Sequence, residues 1–443
     1  AAPCAWISAL QRRGTINFAE AAAQAIDYAD PGFVMYPFMA NILAAHAADY
    51  ARWPSSAEIY LPGGAPPEVG EIFVQRDLAS SLRYMAEEER AAARHGRVAG
   101  LEAARDAFYR GDIAAKILRY HRENDGLMRA EDLADFRCAV EAPLHHRFMD
   151  TDVYTCGTWC QGPVLAQTLA LLEPGILRTA GHNTPAYIHH ITEALKLVFA
   201  DRERYYGDPR FVHVPLERLL SPAHIVAQRA RIPARAENAP PSEGTAPVPR
   251  DTSYICVIDK DGNAFSATPS DVSYDTPVIP GTGLCPSSRG SQSWADPAHP
   301  SSVAPGKRPR LTPNPALLIR EGKFVMPFGT PGGDVQCQAM LQTLLNILLF
   351  DMNPQRAVEA PRFASYSFPN SFAPHETFPG RLNLEGRFGP GIAAELTALG
   401  HDVRLWPDWS PLAGAVCLIF QDLQRGTLAG AADPRRPAMA AGN

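Results

Sequence analysis

No apolar run in the chain approaches the roughly 18 residues needed to cross a bilayer. The run Leu344-Leu-Asn-Ile-Leu-Leu-Phe350 is too short for that and reads as a core helix. No basic block is present either: Lys307-Arg-Pro-Arg310 is interrupted by proline and reads as a loop, and the net charge is -6 with 20% charged residues. A nucleic-acid or membrane partner is therefore not expected. There is no HExxH and no spaced His/Cys cluster, and the adjacent pairs His145-His146 and His189-His190 point different ways on a strand or helix, so no metal or other cofactor is expected. The eight cysteines are scattered, and the one close pair, Cys156-Gly-Thr-Trp-Cys160, has three intervening residues where a redox or zinc pair has about two. They read as buried free thiols of a reducing compartment, which predicts a cytoplasmic protein. Export to the periplasm is the alternative. The opening Ala1-Ala-Pro-Cys-Ala-Trp-Ile7 lacks the basic start of a signal peptide and does not resemble a natural beginning, so further sequence ahead of it is expected.

What is present is a helical first half and a mixed second half. Leu78, Leu82 and Met85, then Ile113, Ile117 and Tyr120, then Ile191, Leu195 and Val198 keep the spacing of one helix face and read as core. A strand is predicted at 152–156, and a helix from Gly162 to Leu172. Residues 231–251 form a proline-rich linker almost free of large apolar side chains. Next, Ser253-Tyr-Ile-Cys-Val-Ile258 reads as a strand buried on both faces, turned by Asp259-Lys-Asp-Gly262 into a partner strand at 263–268. A second hairpin is predicted from Ala316-Leu-Leu-Ile-Arg320 and Lys323-Phe-Val-Met326. Gly329-Thr-Pro-Gly-Gly333 ends it, and a helix follows to Phe350. Another helix carries Ile392, Leu396 and Leu399 and stops at Gly400, and strands at 402–406 and 414–420 close the chain. Elements in blocks predict sheets with helices on their outer faces.

Thr252 sits where the linker meets the strand. A threonine hydroxyl is a weak nucleophile unless a base lies beside it, and a free α-amine on the same residue, with a reference pKa of about 7.7–8, is such a base. Cleavage between Asp251 and Thr252 would create that amine. The adjacent glycines Gly332 and Gly333, ahead of a helix, leave backbone N–H groups uncovered, either as an acceptor of anionic charge or as a plain tight turn. No GK[ST] follows, which excludes a phosphate-binding P-loop.

The stretch Thr252-Ser-Tyr-Ile-Cys-Val-Ile-Asp-Lys-Asp-Gly-Asn263 resembles the small-subunit start of the γ-glutamyltranspeptidase family. The glycine loop resembles that family's oxyanion loop. Phe108-Tyr-Arg-Gly-Asp112, Gly126-Leu-Met-Arg-Ala-Glu-Asp-Leu133, Ala200-Asp-Arg-Glu-Arg-Tyr-Tyr-Gly-Asp-Pro209, Ala360-Pro-Arg-Phe363 and Gly430-Ala-Ala-Asp-Pro-Arg435 resemble its other landmarks, in the right order along the chain. The resemblance implies an α+β fold, the four-layer αββα sandwich of N-terminal-nucleophile hydrolases. It implies a self-cut into a large portion, 1–251, and a small one, 252–443, that stay together as one structural domain and form no cofactor site. A homodimer of such heterodimers is one assembly they can build. By similarity Thr252 is the nucleophile, Ser270 supplies the hydroxyl that helps activate it, and Gly332 and Gly333 donate to the oxyanion.

Departures from the family's pattern concern the substrate. Gln292 stands where the family has an acid for an α-amine, with Arg289 nearby, and Leu311 and Thr312 replace a pair of serines. The family's carboxylate-binding arginine belongs to a first stretch expected ahead of Ala1, so no residue here is assigned that role; the loss of the acid and of the first serine is what bears on the amine. Such a pocket should bind an ammonium group poorly, and Arg289 would favour an anion. The segments 270–283 and 287–294 look closer to the branch that includes oxamate amidohydrolase. The expected substrate is therefore a small carboxylate-bearing amide. The alternatives are γ-glutamyl hydrolysis or transfer, cephalosporin or glutaryl acylase chemistry, and a scaffold that only binds.

Overall fold

In the computed structural model, residues 1–237 and 252–442 are described. The chain divides into two compact units, Ala1–Val140 with Val272–Ser288, and Glu141–Asp271 with Arg289–Asn443. The composition change at 231–251, ahead of the expected cut, does not mark this division. The chain leaves the second unit after Asp271 and returns to it at Arg289.

The first unit is helical. Helices Ala2–Arg13, Phe18–Ala29, Arg76–Ala92, Arg97–Tyr109 and Asp112–Glu123 bury Ile7, Phe18, Met85, Leu101, Ile113 and Ile117 together with Ile279 from the returning segment. The stripes through Met85 and Ile117 are thus core, as their spacing predicts. Asn17 starts the second helix by accepting from the Glu20 N–H, while the Glu20 side chain accepts from the Asn17 N–H.

The second unit is layered. A six-stranded antiparallel sheet runs in the order Thr427–Ala431, Cys417–Asp422, Phe324–Gly329, Ala316–Arg320, Thr151–Thr155, Leu144–Phe148. Helices Gly162–Leu171, Pro185–Tyr205 and Gln336–Phe350 share a core with it, burying Leu165, Leu195, Val198, Met326, Phe328, Leu344 and Leu345. Each such side chain contributes about 1.5–3 kcal/mol by leaving water. The hairpin Ile255–Ile258 with Ala264–Ala267 packs beside the strands Phe324–Gly329 and Cys417–Asp422 as a small second sheet.

This hairpin corrects one expectation. The apolar run 253–258 predicts a strand buried on both faces, but Ile255, Val257 and Phe265 are 52%, 45% and 51% exposed. Only one face lies against the larger sheet, and an apolar run cannot distinguish one covered face from two.

Candidate active site

Thr252 is buried at the head of this hairpin and forms an isolated antiparallel bridge with Ser270. The Ser253 N–H donates to the Pro269 carbonyl at 3.0 Å and fixes the register. As a result Thr252 Oγ1 and Ser270 Oγ lie 2.7 Å apart. Arg289 Nη2 donates to the same Ser270 Oγ at 2.5 Å. A guanidinium can only donate, so it occupies a Ser270 lone pair and leaves that hydroxyl one proton and one lone pair for Thr252. The Arg289 guanidinium also lies 5.2 Å over the Phe372 ring and has Nε 3.8 Å from Asp271 Oδ1.

The glycine loop is reached through Tyr254. Its ring packs so closely on Gly329 that a Cβ there would lie 2.3 Å from Tyr254 Cε2, which is why the strand must end in glycine. Burial pushes the Tyr254 hydroxyl well above its ordinary pKa, so it stays protonated and pairs with Ser266 Oγ at 2.8 Å. Beyond Gly329, Thr330 Oγ1 donates to the Pro331 carbonyl at 2.8 Å and accepts from the Ala415 N–H at 2.7 Å, pinning the loop. Gly332 then takes φ 130° and Gly333 φ 56°. The Gly332 angle is one that residues with a Cβ rarely adopt. Among the described residues, no hydrogen bond takes up the Gly332 or Gly333 N–H. A single turn, Gly333–Val335, leads into the helix Gln336–Phe350, whose N-terminal dipole favours negative charge here.

The remaining sequence candidates form a second group. Arg289 and Gln292 share one turn of 3-10 helix. Gln292 Nε2 donates to Thr312 Oγ1 at 3.4 Å, both residues being buried. Gln292 Oε1 is buried without a partner among the described residues. Leu311 turns its backbone to Trp159, its N–H donating to the Trp159 carbonyl at 2.8 Å. Asp251 and the linker beyond 237 lie outside the described residues.

Several neighbours escaped the sequence reading. Asp271 directly follows Ser270 and places an acid beside Arg289. Asp334 directly follows Gly333 and pairs with Arg202 at 2.6 Å, from within the landmark 200–209. Two further landmarks prove to be a buried clasp: Arg362 meets Asp433 at 2.6 Å, and Arg435 meets Glu385 at 2.6 Å. His189 pairs not with His190 but with His401, Nδ1 to Nε2 at 2.9 Å, while His189 Nε2 donates to the Pro233 carbonyl at 2.8 Å. With Glu193 these histidines form a group dense enough to hold a cation, which adjacency in sequence does not reveal. His401 Nε2 meets His189, its Nδ1 lies 4.0 Å from Glu193, and Lys196 holds Glu193 at 2.6 Å.

A profile of the family described as Gamma-glutamyltranspeptidase matches residues 1–443. The chain is 32% identical over 439 residues to the glutathione hydrolase-like YwrD proenzyme of Bacillus subtilis (strain 168), covering 99% of this chain and 79% of that one. It is 30% identical over 424 residues to the oxamate amidohydrolase proenzyme of Klebsiella pneumoniae, covering 95% and 75%. Among solved structures it matches the cephalosporin acylase of Bacillus halodurans with TM-score 0.83 and 27% identity, over 99% of this chain and 77% of that one. The fold is that of an N-terminal-nucleophile hydrolase, an α+β sandwich of the αββα type. The chain belongs to the γ-glutamyltranspeptidase family and is an amide-bond hydrolase of that family.

Proposed function

We propose that the chain is a self-processing threonine amidohydrolase acting on a small amide whose acyl part carries a carboxylate. The observation behind this reading is the row Thr252 Oγ1, Ser270 Oγ, Arg289 Nη2, with steps of 2.7 and 2.5 Å. It sets a nucleophile, a relaying hydroxyl and a fixed positive charge side by side.

In this reading a cut between Asp251 and Thr252 frees the Thr252 amine, in keeping with relatives named as proenzymes. The amine takes the proton from Thr252 Oγ1, directly or by way of Ser270, as the oxygen attacks the amide carbonyl. The oxyanion forms against the N–H groups of Gly332 and Gly333, which stand ready without reorganising. Collapse expels the amine, protonated by the Thr252 ammonium. Water then attacks the ester, and the acid leaves with Thr252 restored. The net change is amide plus water to acid plus amine. Asp251 and Thr252 are the residues on either side of the scissile bond.

Substrate choice follows from charge. The ammonium of a γ-glutamyl group would meet a guanidinium and a glutamine in place of a carboxylate. A carboxylate is matched by Arg289, and the unpartnered Gln292 Oε1 can accept from a substrate N–H, with Thr312 holding the glutamine amide. An oxamate-like amide offers both groups. The second reading, γ-glutamyl hydrolysis or transfer, is favoured by Asp271, whose carboxylate lies 3.8 Å from Arg289 and would attract an ammonium. The assay that separates the two compares ammonia release from oxamate with p-nitroaniline release from γ-glutamyl-p-nitroanilide. Faster turnover of oxamate supports the first reading, and efficient turnover of the anilide overturns it.

A further inference from the structure

Arg202 takes no part in the acyl transfer above, yet it is 0% exposed. Burying a guanidinium is costly unless nearly every donor is matched. Here Nε and Nη2 lie 2.6 Å from Glu203 Oε1, Nη2 donates to the Pro369 carbonyl at 2.6 Å, and Nη1 donates to Asp334 Oδ1 at 2.6 Å and Ser371 Oγ at 3.2 Å. Burial alone would lower its pKa, but the Glu203 and Asp334 carboxylates outweigh that and keep it charged. Asp334 is matched just as fully. Its Oδ1 accepts from Arg202, from Ser371 Oγ at 2.6 Å and from Gln161 Nε2, and its Oδ2 accepts from the Ser371 N–H at 2.7 Å.

Ser371 belongs to a strap, residues 369–375, that touches both halves of the site. One residue along, Phe372 lies under the Arg289 guanidinium, and its Cε2 is 3.6 Å from where a Cβ on Gly333 would stand. The Ala373 N–H donates to the Ser291 carbonyl at 2.8 Å. His375 reaches the Ser293 carbonyl at 3.2 Å and stacks on Trp294 at 3.9 Å. One end of the strap is thus tied to the residue after Gly333, and the other to the turn that carries Arg289 and Gln292.

We infer that Asp334 and Ser371 are positioning residues: through the strap 369–375 they set the Gly332–Gly333 donors and the Arg289 guanidinium in one register, so that oxyanion stabilisation and recognition of an anionic acyl group are coupled. The inference rests on the acyl-transfer reading above. It gives the landmark Arg202 a task, as the buried counter-charge that Asp334 meets at 2.6 Å.

The test measures acylation of purified protein by two activated esters, p-nitrophenyl acetate and mono-p-nitrophenyl glutarate, with Thr252→Ala as the blank. Asp334→Asn removes one of the two carboxylates that match the buried Arg202 and can unfold the protein, so Ser371→Ala is the working variant. Its expected effect is an about 10- to 100-fold fall in acylation by both esters, with a loss of about threefold or more in the preference for glutarate. Ser371→Thr, which keeps the hydroxyl, is expected to recover most of both. Phe372→Leu is expected to lower the glutarate rate more than the acetate rate. Wild-type rates in Ser371→Ala overturn the inference, as does an equal impairment of Ser371→Ala and Ser371→Thr that tracks a fall in melting temperature. If wild-type acylation does not depend on Thr252, the acyl-transfer reading fails first and the inference with it. If it does depend on Thr252 while the Ser371 variants match wild type, the inference alone fails.

Discussion

The glycine loop and the hairpin that opens on Thr252 are held in opposite ways. The loop stands on the helix Gln336–Phe350, buried throughout except at Phe350, with the Arg202–Asp334 ion pair beneath it. The hairpin has one apolar face open to water, and among the described residues Thr252 is held by its bridge and side-chain contact to Ser270. In the proposed reaction the difference fits the tasks. Oxyanion donors help only if they need not reorganise as charge develops, so their support is dense and ionic. In that reaction Thr252 would begin as one half of a peptide bond and work as a chain end, so its strand would have to accommodate two covalent states.

The comparison is sharpened first at Gly332. Gly332→Ala forces a residue with a Cβ to φ 130° and should cost about 100- to 1,000-fold in kcat with little change in KM. Steady-state kinetics checks this, and a pure KM effect would show that the loop binds substrate instead. Stability should divide the same way. Leu344→Ala, in the loop's floor, is expected to cost about 2–5 kcal/mol in chemical denaturation. Val257→Ala, on the open face, should cost less than about 1 kcal/mol, and equal losses would mean that both regions are equally packed. Ser270→Ala should lower kcat about 10- to 100-fold, while Ser270→Thr should stay within a few-fold of wild type, because only the hydroxyl 2.7 Å from Thr252 matters.

A pH effect concerns the anchor ahead of the hairpin, where His189 holds Pro233 and the Ala236 N–H donates to the Leu399 carbonyl. Burial pushes His401 down to about 3 in the fold. An unfolded histidine titrates near 6.5, so the unfolded chain binds the extra proton and stability falls as pH drops from 6.5 toward 3, with nothing lost above 6.5. At pH 5 the loss is about 2 kcal/mol. Melting temperatures at pH 7.5 and 5 should therefore differ less in His401→Gln than in wild type.

Much of the hairpin and loop was legible in the sequence because both depend on local chemistry. The strand 402–406 and the helix through Leu396 appear where turn signals and spacing put them, and Gly400, at φ 101°, follows that helix as its stop. Ser270 was legible only through resemblance, and its 2.7 Å contact with Thr252 gives that placement a geometry. The remainder was hidden by distance along the chain. Arg202 and Asp334 are 132 residues apart and Ser371 lies a further 37 on, so no window contains their network. The open face of the hairpin was hidden for another reason: hydrophobicity reports that a strand packs, not on how many sides. The division into two units also left no trace in the sequence, where 270–283 stands out only by its resemblance to one branch of the family.

The most direct test of the nucleophile is denaturing electrophoresis of soluble, folded protein, with N-terminal sequencing of the smaller band. A cut before Thr252 leaves a piece of 443 − 251 = 192 residues beginning Thr252-Ser253-Tyr254. Two bands in the wild type and one in Thr252→Ala are predicted. A single wild-type band, or a cut that survives in Thr252→Ala, would contradict the claim that Thr252 frees itself to act.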